Sequence, residues 1–165
     1  MTGPNVHRAG VNASLTLLLA IALLCGLTAC ERPTWEAADN TLNDLGVAQM
    51  GRFEYAAAHA TFTKLVTQAP DWHEARINLA IATLNRQQDG DEKRALALAS
   101  EVLDQDPTQV RALYLSGLVH LYVGEPELAT AFFTRATDAD PTDAYSAYFL
   151  GQSRLQATDY EGAAR

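Results

Sequence analysis

Cysteine is almost missing from this chain. Of its 165 residues only Cys25 and Cys30 carry a thiol. Nothing beyond position 30 can therefore be held by a disulfide or by a cysteine-built metal site, and any fold there rests on packing alone. Positive charge is sparse too. The twelve Lys and Arg are scattered singly apart from Lys93-Arg94, against twenty Asp and Glu, for a net charge of −8. Without a basic stripe there is no footprint for nucleic acid or an anionic lipid surface. The chain also has no Gly-rich phosphate loop, no His-Glu-x-x-His and no Gly-x-Ser-x-Gly, so it shows no sign of an enzyme, a cofactor or a small-molecule substrate. Long apolar runs are limited to one, Leu15 to Leu24, and that is too short to span a bilayer, which takes about 20 residues.

That run has the makings of an address. His7 and Arg8 precede it, and Leu27-Thr28-Ala29-Cys30 follows it. Basic start, short apolar stretch and small residues at the end are the parts of a cleaved leader. The last four residues resemble the bacterial lipobox. That resemblance implies a signal peptide over 1–29 and lipidation of Cys30, whose sulfur would carry the lipid. Two or three acyl chains anchor stably where one does so only marginally. Two other readings stand beside it: a plain secretory peptide cut at Ala29, and a structural cysteine in an apolar helix. On the lipoprotein reading the protein sits in the bacterial cell envelope, facing the periplasm or the exterior. Residues 30–38 then form a tether broken by Pro33. Fully stretched, it would reach about 25–30 Å. Trp35 would pack on the first helix or rest on the membrane interface.

Beyond the tether the chain has a period. Pro70, Pro107 and Pro141 are spaced by 37 and 34 residues, each after an amphipathic segment and before the next, where proline ends one helix. The clearest unit runs from Ala112 to Pro141. Its apolar spacing predicts helices over Val110–Val123 and Glu127–Asp138 around a turn at Gly124-Glu125-Pro126. Gly117, Ala129, Phe133, Ala136 and Pro141 supply its small, bulky and helix-stopping positions. The unit resembles a tetratricopeptide repeat. The resemblance implies an all-α fold, an antiparallel helix-pair solenoid of about three and a half repeats over 39–165, with repeats near 39–72, 73–109, 110–143 and an incomplete 144–165.

The other units follow the same register with local departures. In the first, Leu42, Leu45 and Gly46 fit the leading helix and Ala58, Phe62, Leu65 and Pro70 the second. Its turn signal Gly51-Arg52-Phe53-Glu54 comes two residues early, which implies either a shorter first helix with a longer second or an atypical turn. In the second unit Ala75, Leu79 and Ala80, then Ala95, Ala99 and Leu103, hold the pattern, with three extra residues in the turn Arg86–Lys93. Asp89-Gly90-Asp91-Glu92 lacks the alternating ligands and distant Glu of a calcium loop and reads as a turn into a helix start. The third has Leu113, Ser116 and His120 where the family favours Trp, Leu and Tyr, and Leu115 is placed to restore apolar contact. The fourth, from Ala144, keeps Leu150-Gly151, Thr158–Glu161 and Ala163, and the sequence stops within its expected second helix. A repeat array needs a polar cap, so the natural chain is expected to continue.

His59, His73 and His120 share no i, i+4 face and read as packed or surface side chains. The repeat register puts a groove along the first helix of each unit, with Ile77, Ile81, Arg111, Tyr114, Leu118, Tyr122, Tyr145, Tyr148 and Gln152 as its lining. Four of the six tyrosines fall there, and tyrosine offers rigid area with a polar tip, which suits recognition. Tyr114 and Tyr148 are open to a second reading, as rings packed between neighbouring helices. Some family members clamp acidic C-termini with Lys and Asn, but the matching places here hold Ile77, Ile81, Tyr114 and Leu118, and that clamp is not expected. The expected function is a membrane-anchored interaction scaffold taking a peptide or helix of another protein. The alternative is the N-terminal segment of a larger extracytoplasmic protein, either one with a β-propeller of the FG-GAP and ASPIC/UnbV type, since Arg76–Arg86 and Ala144–Gly151 are similar to repeats that precede such domains, or one with an enzyme downstream.

Overall fold

The computed structural model describes residues 37–163. The leader 1–29, Cys30, Trp35 and nearly all of the tether lie outside the described residues. Seven helices follow one another: α1 Ala37–Gly51, α2 Tyr55–Gln68, α3 His73–Arg86, α4 Asp91–Gln105, α5 Val110–Tyr122, α6 Pro126–Ala139 and α7 Ala144–Ala163. The fold is the all-α helix-pair solenoid expected from the sequence, and the described residues include no strand. No helix among them is long and apolar enough to cross a membrane.

The prolines end helices through the residue before them. A proline ring clashes with a helical predecessor and pushes it to extended backbone. Ala69, Asp106 and Asp140 all comply, at φ −127°, −132° and −137°. Asp106-Pro107-Thr108 and Asp140-Pro141-Thr142 are built alike. Each aspartate accepts the backbone N–H and the hydroxyl of its threonine, at 3.0 and 2.7 Å in the first and 2.9 and 2.7 Å in the second. At the start of α5, the Gln109 side chain accepts from the N–H groups of Arg111 and Ala112, filling donors the helix itself cannot use.

Each helix packs on its chain neighbours, and α1, α3, α5 and α7 also touch in series as an inner layer. The core runs through the repeats and across the seams between them. Phe62, Leu65 and Ala58 of α2 meet Ala75, Leu79 and Ala82 of α3, and Ile77 of α3 shares a second cluster with Val102 of α4 and Leu115 and Val119 of α5. One repeat alone would leave half of this surface wet, which is why such units occur stacked.

Within a repeat, the two helices approach over a glycine. A methyl group on Gly46 would stand 2.6 Å from Phe62, and one on Gly117 would stand 2.7 Å from Phe133. Both phenylalanines are fully buried. The second repeat solves the same space differently: Ala80 and Ala99, both fully buried, stand where the others have glycine and phenylalanine. The methyl enters as the ring leaves.

Three expectations need correction. In α4 the buried residue is Val102, with Leu103 only partly buried against the core. Val102 holds the place that Leu65 has in α2 and Ala136 in α6, so the inward face keeps one register in all three second helices. In the first repeat neither helix changes length: Phe53 stands two residues before α2 as Gly124 stands two before α6. Both are left-handed, at φ 62° and 84°. The turn is the atypical part, since a phenylalanine holds a conformation that glycine adopts without strain. The third correction concerns α7, one helix from Ala144 to Ala163 with no break near Thr158. No second helix packs back on it among the described residues, and unbroken hydrogen bonding is then the cheaper path. In the third repeat, Ser116 turns its hydroxyl onto the Ala112 carbonyl at 2.9 Å, while Leu115 is buried in the core.

The insertion in the second repeat is closed by charge. Asp91, fully buried at the start of α4, accepts from Arg86 at 2.7 and 3.2 Å, from Arg94 at 3.1 Å and from the Gln88 N–H at 2.8 Å. The Arg86 guanidinium holds this carboxyl far below the ordinary range. Beside it, His59 lies 3.4 Å from Arg86, and burial and then that guanidinium lower the affinity of its ring for a proton.

Two outcomes follow for stability. Gly117→Ala should cost about 1–3 kcal/mol by overpacking. Phe133→Ala should cost about 3–5 kcal/mol, and the double variant less than the sum, because it recreates the Ala80/Ala99 pair. Urea unfolding of the four proteins measures the coupling, and strict additivity would contradict the contact. For Asp91, a depressed folded-state pKa means stability that is complete above about pH 4–5 and lost as pH falls. A lowered His59 acts in the same direction, since the folded form resists its charging as pH drops below about 6.5. Asp91→Asn should cost about 2–3 kcal/mol at neutral pH and flatten the acid limb of a melting-temperature profile. An unchanged profile would remove Asp91 from that role.

Candidate functional site

Series stacking of the inner helices leaves a trough between α3 and α5. Its main cavity, about 550 Å³, has walls of Ile81, Leu84, Val110, Tyr114, Leu115 and Leu118. Asp140 and Asp143 of the loop from α6 to α7, with Tyr145 at the start of α7, close one end. A second cavity of about 260 Å³ shares Leu84, Asn85 and Leu118 and continues to Gln87, Glu92 and Tyr122. The apolar floor comes from i, i+3, i+4 and i+7 spacing on α3 and α5, and among the described residues no helix lies across it.

A polar chain runs along the same inner layer. Asn78 donates to Asn43 at 3.1 Å, and Arg111 donates to Asn78 at 2.9 Å. These bonds tie α1, α3 and α5 together, leaving the Arg111 side chain exposed at the trough's edge.

The anticipated lining residues separate into groups. Ile81, Arg111, Tyr114, Leu118 and Tyr145 border the main cavity, and Tyr122 the smaller one. Ile77 does not belong: it is fully buried in the core between α3, α4 and α5. On α3 the inward turn one residue before Asn78 faces the neighbouring helices, and the exposed wall begins a turn later at Ile81. Tyr148 and Gln152 border neither cavity. They sit on α7, where Gln152 donates to the Tyr148 hydroxyl at 3.1 Å and Tyr148 meets Phe149 edge-on at 5.2 Å.

Tyr114 satisfies both of its readings. Its ring packs on Phe133 at 5.9 Å and Phe149 at 5.7 Å, and it still borders the cavity. Burial, then the charge of Asp143, raises its pKa above that of an ordinary phenol, so its hydroxyl remains a donor at neutral pH. Tyr122 and Tyr145 are 71% and 72% exposed. The residues missed by sequence reasoning are the acidic ones, Asp140, Asp143 and Glu92. The only signal for them was the position of the Asp-Pro-Thr-Asp turn next to α5.

Each of the three histidines among the described residues has its own partner. His59 lies on Arg86, His73 Nε2 is 2.9 Å from Gln105 Oε1, and His120 stacks on Phe132 at 5.3 Å with Nδ1 2.7 Å from Glu125. Among the described residues no three His, Cys, Asp or Glu side chains are grouped as a metal ion would require.

An antiparallel helix-pair array with a concave trough is the architecture of a repeat solenoid. The tetratricopeptide repeat family matches residues 84–144 and 114–165, and match and fold together support that family for this chain. No curated protein matches the chain in sequence. Among solved structures, the TPR domain of Sgt2 from Aspergillus fumigatus superposes with a TM-score of 0.72 at 20% identity, over 79% of this chain and 85% of that one. The TPR2B domain of yeast Sti1, solved in complex with pHsp70, gives 0.66 at 19% identity, over 76% and 99%. The type III secretion chaperone SycD of Yersinia enterocolitica, solved with a peptide of the translocator YopD, gives 0.65 at 16% identity, over 76% and 99%. At these identities the likeness concerns the fold.

Truncation should sort wall from core. Tyr122→Ala and Tyr145→Ala should change stability by less than about 0.5 kcal/mol, while Ile77→Ala and Tyr114→Ala should each cost about 2–5 kcal/mol. Thermal unfolding measures this, and a neutral Ile77→Ala would return that residue to the surface.

Proposed function

We propose that this chain is an interaction scaffold that holds a segment of another protein in the trough between α3 and α5, beside a bacterial envelope membrane to which Cys30 anchors it. The observation that carries the first half is the continuous apolar trough with exposed tyrosines at its margins. Apolar wall that no helix covers is stabilised by a ligand's side chains, and exposed Tyr122 and Tyr145 add rigid contact area at little entropic cost. Peptide complexes of similar folds, with the YopD segment on SycD as one, support this use of the architecture.

The second half rests on the sequence around Cys30, with the basic start at His7 and Arg8, the apolar run and the small residues before the cysteine. Lipidation there would hold the array within a tether's length of the bilayer, so the partner is an envelope or extracytoplasmic protein. No step in this role calls for catalysis or a cofactor.

A paired experiment checks both halves. Affinity capture from envelope extracts with the Leu118→Ser/Tyr122→Ala/Tyr145→Ala protein should lose partners that the unaltered protein retains, with circular dichroism confirming that both are folded. Cys30→Ser should move the protein out of the membrane fraction and abolish incorporation of labelled palmitate. Equal recovery of partners would sink the trough as binding surface, and a membrane-bound, labelled Cys30→Ser protein would sink the anchor.

A further inference from the structure

We propose that the segment held in the trough is apolar in the middle and cationic at its ends, so that Lys or Arg side chains meet Asp140 and Asp143 at one mouth and Glu92 at the other. This rests on the trough being the binding surface and adds the chemistry of what fills it.

The two cavities share Leu84, Asn85 and Leu118 and so form one channel with an end at the α6–α7 loop and an end at the start of α4. Between the ends the walls are aliphatic and aromatic apart from Asn85. At the ends the lining carries three carboxylates against a single guanidinium, that of Arg111. Arg111 is already engaged by Asn78 at 2.9 Å.

None of the three carboxylates is in an ion pair among the described residues; the acids so paired are Glu54, Asp91, Glu101 and Glu125. Asp140 is kept ionised by the hydroxyl and N–H of Thr142. The charge of Asp143 is felt on the trough wall, where it follows burial among the influences on Tyr114. Charges at the mouths of a low-dielectric cleft are screened less than charges on open surface, and they focus their field along it.

The wider field has the same sign. Residues 37–163 carry nine Lys and Arg against eighteen Asp and Glu, which draws a cationic segment in and repels an acidic one. It also opposes a second copy of this chain, which would bring the same negative charge to the same mouths. The clamp for acidic C-termini is thus not merely missing from this trough. Its polarity is reversed.

Fluorescence anisotropy with the full chain tests this, using labelled model peptides of alternating Leu and Ser that end in lysine pairs, serine pairs or glutamate pairs. The lysine-ended peptide should bind about tenfold more tightly than the serine-ended one, the glutamate-ended peptide should bind most weakly, and added salt should narrow the spread. Asp140→Asn/Glu92→Gln should remove most of the lysine advantage. Equal binding of lysine- and serine-ended peptides, both lost in Leu118→Ser, would overturn the charge inference and leave the trough as binding surface. Binding of none of the three would overturn both. A lysine advantage that persists in Leu118→Ser and in Asp140→Asn/Glu92→Gln would place the attraction elsewhere on the acidic surface and overturn the inference as well.

Discussion

The fold depends on a phenylalanine ring lying directly on a glycine backbone, Phe62 on Gly46 and Phe133 on Gly117. Each contact brings the two helices of a repeat together nearer than any side chain at the glycine would allow. The rest depends on that spacing. A ring seated this deeply is fully buried, and it leaves the outward turn of the inner helix free for the trough. In the third repeat the chain of contacts continues, as Phe133 stacks on Phe149 at 5.7 Å and both touch Tyr114. The ring that sets the helix pair is therefore in contact with the ring that borders the cavity. Widening at Gly117 would be felt at the trough wall without any residue of the wall being changed.

Much of this architecture was legible in the sequence because its constraints are local. Gly46 and Phe62, like Gly117 and Phe133, are sixteen residues apart, and each spaced proline forces its predecessor into extended backbone. What escaped depends on neighbours the sequence does not mark. Ile77 and Ile81 share one apolar stripe, yet only contact with α4 and α5 decides that Ile77 is core and Ile81 is wall. Val102, not Leu103, faces inward because it stands in register with Leu65 and Ala136, while Leu103 beside it is only partly buried. Phe53 occupies a left-handed turn that glycine marks elsewhere in the chain, so the turn was visible but misplaced by two residues. In α7 local turn signals at Thr158 yielded to helix continuation, since among the described residues no second helix packs back to hold a break.

The site was legible by half. Tyr114, Tyr122, Tyr145, Ile81, Arg111 and Leu118 border the cavities as the repeat register implied. Their aspartate and glutamate neighbours come from the loop before α7 and from α4, elements whose place beside the trough is a tertiary fact. A groove judged from its inner helices alone looks neutral and apolar; with its mouths included it is acidic. Asp91 with its arginines, and His59 beside them, border neither cavity and bear on stability.

Recognition on the inner face is the claim on which the functional reading stands. The most direct measurement is amide chemical-shift mapping of the lysine-ended peptide on the isotopically labelled protein. Perturbations should gather at Ile81, Leu84, Glu92, Tyr114, Leu118, the loop from Asp140 to Asp143 and Tyr145, and spare the exposed positions of α2 and α6 and of α4 beyond its first turn. Perturbations centred on those outer helices, with the α3–α5 trough silent, would contradict it.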